Sequence, residues 1–132
     1  MMIFLDSRNL RTLAMAILLV SPIRAFAQND VDLQKLTNGQ DADSAPGPVV
    51  IIGSTVNWTY VVSNTSSRPL TNISVTDDQG VVVTCPGTTL GAGLSSTCSG
   101  SGTAVAGQYA NLGTLTASLP DTSVVSDTDP SH

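Results

Sequence analysis

The sequence predicts an all-β fold, an immunoglobulin-like sandwich of about seven strands, preceded by a cleaved export leader. Three observations lead there. After the first 27 residues Thr, Val, Ser and Gly dominate, and Ala-, Leu- and Glu-rich amphipathic stretches are missing. Short runs of β-forming residues are punctuated by Gly, Pro, Asn and Asp at the spacing of a sandwich. The clearest run, Thr55–Ser63, places Val56, Trp58, Tyr60 and Val62 on one face and Asn57, Thr59, Val61 and Ser63 on the other, the period of two that marks a half-buried strand.

Residues 1–27 read as a signal peptide. Arg8 and Arg11 form a basic start, Thr12–Val20 an apolar stretch, Pro22 a helix breaker, and Ala25-Phe26-Ala27 the small-x-small pattern before a cleavage site. The apolar stretch is shorter than the roughly 20 residues that span a bilayer. No Cys precedes position 85, which excludes lipid attachment just after the leader, and no later apolar run is long enough for a membrane span. The expected product, residues 28–132, is one domain, secreted or displayed at the cell surface. Cleavage also removes Arg8, Arg11, Arg24 and Asp6, leaving two cations (Lys35 and Arg68) against nine carboxylates, a formal charge of −7. Every acid is Asp. So acidic a chain is a poor partner for nucleic acid or anionic membranes, whose phosphates need Lys and Arg.

The remaining elements follow in order. Val31–Thr37 alternates and reads as the first strand. Val49–Ile52, after Pro46 and Pro48, reads as a short strand crossing between sheets. Asn64–Pro69 is a loop by composition, and Leu70–Thr76 a strand. Asp77-Asp78-Gln79-Gly80 reads as a solvated tight turn with Val81–Cys85 returning as the second arm of a hairpin. Ser95–Val105 and Gln108–Ala117 are two further strands; alternation slips between Leu112 and Leu115, which predicts a bulge at Gly113. Val124-Val125 begins the last strand. Trp58, the single Trp, is the expected core anchor.

Chemistry has few candidates. Cys85 and Cys98 are the only cysteines. In an exported chain a disulfide is the default against two free thiols, and its loop predicts roughly 3 kcal/mol of stabilisation. Two Cys and one His fall short of a zinc site. The only His is His132, no Gly-x-Ser-x-Gly elbow is present, and Asp77-Asp78 reads as turn rather than as a catalytic pair, so no enzyme is expected. Three Asn-x-Ser/Thr triplets, at Asn57, Asn64 and Asn72, match the glycosylation pattern, which Thr/Ser-rich strands produce by chance.

Several segments together resemble a known family. They are Asn38–Asp43, Ala45–Pro48, Gly53–Asn64, Leu70–Asp78, Cys85-Pro86, Thr97-Cys98, Gly107–Asn111 and Asp127–His132. Over nearly all of residues 31–132 the chain is similar to the bacterial surface-protein repeat domain known as domain of unknown function eleven, in its disulfide-bearing variety. The resemblance implies an immunoglobulin-like sandwich, used in several copies in exported and cell-wall-associated proteins, without enzymatic activity. It also implies an aromatic pair and Gly after Asp-Pro-Ser-His, where this sequence stops, so a shortened last strand is expected.

The function expected on these grounds is a structural or spacer module whose partners are neighbouring surface-protein modules or cell-wall components. The alternative is an adhesive module that binds a host or matrix protein or a glycan. No cofactor is expected beyond one candidate, calcium. Asp41 and Asp43 alternate, Asp127 and Asp129 repeat the arrangement, and first and last strands lying side by side would gather four carboxylates of the kind that ligate Ca²⁺.

Overall fold

Alternation builds the first sheet. The computed structural model describes residues 29–132; the expected leader, residues 1–27, lies outside the described residues. Strand β1 (Val31–Thr37) buries Val31, Leu33, Lys35 and Thr37, and β3 (Thr55–Asn64) buries Val56, Trp58, Tyr60, Val62 and Asn64. Between them Asn38 and Gly39, both with positive φ, make a two-residue turn into the short β2 (Gln40–Asp41). Strand β5 (Ser95–Thr103) completes the antiparallel order β2-β1-β3-β5.

The second sheet has the order β4-β6-β7, from β4 (Thr71–Asp77), β6 (Asn111–Ser118) and β7 (Val124–Ser131). Its inward residues Ile73, Val75, Leu115 and Ala117, with Leu70 and Leu119 beside them, meet the inward face of β1 and β3 to form one core. The result is the predicted immunoglobulin-like sandwich of seven strands in two antiparallel sheets. Among the described residues no helix is long and apolar enough to cross a membrane. The last strand, β7, pairs with β6 along eight residues, Val124 to Ser131, with Pro130 opposite Leu112.

Four expectations need correction. Val49–Ile52 is not a strand. Only Val50 touches the core, while Val49, Ile51 and Ile52 face solvent, because the chain has already turned back at Asn38-Gly39. Val81–Cys85 is not the second arm of a hairpin. β4 pairs with β6 instead, and after the turn closed by Gly80 N–H on the Asp77 carbonyl (3.3 Å) the chain crosses to the other sheet. There Thr84 and Ser99 exchange both backbone hydrogen bonds, at 2.8 and 2.9 Å. The bulge lies not at Gly113, where the β6–β7 register is unbroken, but in β4 between Thr71 and Ser74, where Asn72 has φ of +51°. Gly113 faces inward because Tyr60 needs the space: a Cβ there would sit 3.2 Å from the ring. Fourth, Asp77 is not solvated; its side chain is fully buried.

Trp58 anchors the core as expected, 4% exposed, with its ring over Gly102 and its centroid 5.7 Å from that of Tyr109. Cys85 and Cys98 are disulfide-bonded, fastening the crossing segment to β5. Trp58→Ala is expected to cost on the order of 3–5 kcal/mol, as for other buried aromatics, read from the shift in urea midpoint. Reduction of Cys85–Cys98 is expected to remove up to about 3 kcal/mol while leaving the β-type circular dichroism in place, because both sheets form without it.

Candidate functional site

The first candidate region is the seam where β1 meets β7. The two strands run parallel, β7 at the edge of one sheet and β1 in the other, where β2 covers only its last two residues, and side chains of β7 replace the missing backbone ladder. Leu33 N–H donates to Asp127 Oδ2 (2.8 Å) and Lys35 N–H to Asp129 Oδ2 (2.5 Å), while the Thr37 and Ser131 hydroxyls bond to each other. All three pairs are separated by 94 residues, so every second residue of one strand meets every second residue of the other.

The four aspartates named as calcium ligands are thus partly gathered. The neighbouring Asp41 carboxyl, on β2, together with the nearby Asp129 charge, pushes the exposed Asp43 carboxyl above its ordinary value. Asp129 is also raised, by burial and by the charges of Asp41 and Asp127, against the lowering effect of the Lys35 N–H. Asp127 and Asp129 each have one oxygen committed to β1. Among the described residues no group of three or more His, Cys, Asp or Glu is arranged to hold a metal. His132 reaches this end through its backbone N–H on the Ala42 carbonyl (2.9 Å), with ring Nδ1 at 3.1 Å from the same oxygen.

The second region is a polar cluster inside the core that the reading of Asp77-Asp78 as a turn missed. Asp77 continues the inward parity of Ile73 and Val75, and its Oδ2 accepts from the Tyr60 hydroxyl (2.7 Å) and Asn111 Nδ2 (2.8 Å). Lys35 Nζ lies 3.0 Å from the same oxygen and 5.6 Å from the Tyr60 ring centroid. Burial would raise Asp77, but the Tyr60 hydroxyl, Lys35 and the Gln79 N–H outweigh it and hold the carboxyl low. Burial lowers Lys35 despite Asp77, and pushes the Tyr60 hydroxyl far up. Two signals in the sequence pointed here. Lys35 shares the inward face of β1 with Val31 and Leu33, and it is the only Lys in the chain.

A third feature is a cleft of about 290 Å³ at one end of the sandwich, walled by Trp58, Tyr109, Val50, Val56, Pro46 and Val105. Exposed Val49 extends its apolar rim. Of the three glycosylation-like triplets, that at Asn64 is closed to modification: Asn64 is buried, its Nδ2 bonded to the carbonyls of Arg68, Leu90 and Gly91.

A cation bridging the acidic pairs would raise the melting temperature in millimolar Ca²⁺ above that in EDTA. With Asp127 and Asp129 already bonded to β1, coincident melts are the expected outcome. No family model matches the chain, and no curated protein or solved structure matches it either, so the site is interpreted from its own geometry.

Proposed function

We propose that the chain is a non-catalytic spacer module of an exported bacterial surface protein, of the repeat type its motifs resemble, with neighbouring modules or cell-wall components as its partners. The observation that carries this reading is the parallel β1–β7 seam. Because the first and last strands run side by side in the same direction, the chain enters the domain at one end and leaves it at the other. Tension along the chain then loads the Asp127, Asp129 and Ser131 bonds in shear, together rather than one after another. The Cys85–Cys98 bond adds weight, since disulfides persist in oxidising surroundings outside the cytosol.

An adhesive role is the second reading, favoured by the apolar cleft beside Trp58 and Tyr109. Aromatic-lined concavities are common ligand sites, and this one, at about 290 Å³, falls just below the usual range of roughly 300–1,000 Å³. Two measurements separate the readings. Under single-molecule pulling, the Asp127→Ala/Asp129→Ala variant is expected to unfold at clearly lower force than the parent, and equal forces would remove the mechanical argument. Against arrays of glycans and matrix proteins the domain is expected to show no saturable binding; saturable binding would replace the spacer with an adhesin.

A further inference from the structure

Inside the core, the one lysine of the chain and one asparagine meet at the same carboxylate oxygen. Lys35 Nζ and Asp77 Oδ2 are 3.0 Å apart with both side chains fully buried, and Asn111 Nδ2 donates to that same Oδ2 at 2.8 Å. Yet two atoms of the cluster have no aligned hydrogen-bond partner: Lys35 Nζ, which touches Asp77 at ion-pair distance only, and Asn111 Oδ1. As a finished structure this arrangement is poor. A buried ion pair often stabilises less than apolar residues of the same size, and an orphaned amide oxygen is a further loss. As a set of reactants it is complete. A primary amine, a primary amide and an acid–base group are held by β1, β6 and β4 in a core closed to bulk water.

We propose that Lys35 and Asn111 condense into an intramolecular isopeptide bond, with Asp77 as the acid–base group. The Lys35 ammonium first passes a proton to Asp77, leaving an uncharged amine beside a carboxylic acid. The Nζ lone pair attacks Cγ of Asn111, and the Nζ–Cγ bond forms. Asp77 delivers its proton to Nδ2 and takes one from Nζ. The Cγ–Nδ2 bond breaks with both electrons on nitrogen, and the departing ammonia takes the remaining proton from Asp77 and leaves as ammonium. The sum is ammonium plus primary amide giving secondary amide plus ammonium ion, with Asp77 a carboxylate again and nothing oxidised or reduced.

The surroundings favour each step. Burial already lowers Lys35 toward its uncharged, nucleophilic form. Once Lys35 gives up its charge, one of the groups holding Asp77 low is gone, while burial continues to favour the protonated acid. The Tyr60 hydroxyl positions the shared oxygen from the side of β3. The bond would tie β1 of one sheet to β6 of the other, a link that neither the disulfide nor the β1–β7 seam provides. This inference goes beyond the spacer reading and stands apart from it, because its test detects a bond and not a role.

Trypsin digestion of the purified, reduced and denatured full chain, followed by mass spectrometry, decides the matter. Past Arg24 the only cleavage position is Lys35, because Arg68 is followed by Pro69 and trypsin does not cut Arg-Pro bonds. An acylated Lys35 is not cut, so the expected product is one uncut peptide running past Lys35 to His132, lighter than its sequence by one ammonia, about 17 Da, with fragment ions placing the link between Lys35 and Asn111. Cleavage after Lys35 with unshifted masses would overturn the proposal. A deficit of one water instead, with fragment ions placing the link on Asp77, would equally overturn it. Asp77→Asn keeps the shape of the side chain and is expected to restore cleavage after Lys35 with unshifted masses in a chain that retains β-type circular dichroism; the uncut, lighter product in undiminished yield in that variant would remove Asp77 from its assigned role.

Discussion

A single oxygen, Oδ2 of Asp77, organises the interior of this sandwich. It collects a hydroxyl from β3, an amide from β6 and an ammonium from β1, so β1 and β3 of one sheet meet β4 and β6 of the other at one point. Apolar packing alone is tolerant of sliding, since side chains of similar volume exchange places at small cost. A buried charge is not tolerant, because each donor withdrawn leaves another uncompensated. The cluster therefore fixes the relative position of the two sheets, and the apolar residues fill in around it. The same demand explains why the turn at Asp77–Gly80 does not make a hairpin: with the carboxylate drawn inward, the chain that follows is sent across to β5.

The second constraint is the seam between β1 and β7. The edge strand β7 and the stretch of β1 that β2 leaves uncovered are closed by carboxylates accepting backbone N–H groups, a substitute for a ladder that the separation of the two sheets does not permit. Such bonds to charged acceptors are stronger than neutral ones. Aspartate is the right length for this, reaching from one strand to the backbone of the next, and the exclusive use of Asp among the acids of the chain fits a structure in which acids serve as short linkers. The raised Asp43 and Asp129 carboxyls mark where too many of them meet, near β2.

Much of the fold was legible because period-two alternation is a direct consequence of strand geometry. β1, β3 and β4 follow it, and Trp58 stands on the buried face that the pattern of β3 implies. What escaped were features decided by distant partners. Val81–Cys85 has a strand-like composition, but its neighbour Ser99 is in another sheet. Gly113 looks like an interruption in β6 and is in fact a seat for Tyr60, a residue 53 positions away in the sequence. The polar cluster was missed for a different reason. Charged residues near Gly are usually solvated, and that local rule outweighed the parity that placed Lys35 after Leu33 and Asp77 after Val75 on inward faces.

The seam has one more consequence, for crowding. Unpaired strand edges invite neighbouring molecules to add strands, the first step of many aggregates. Here β7 carries Pro130, which has no N–H to offer, and its carboxylates are turned upon β1. A foreign strand arriving at that side would find its hydrogen-bonding sites occupied and a negative charge in the way. Copies held at high local density could therefore stand flank to flank without fusing along this edge.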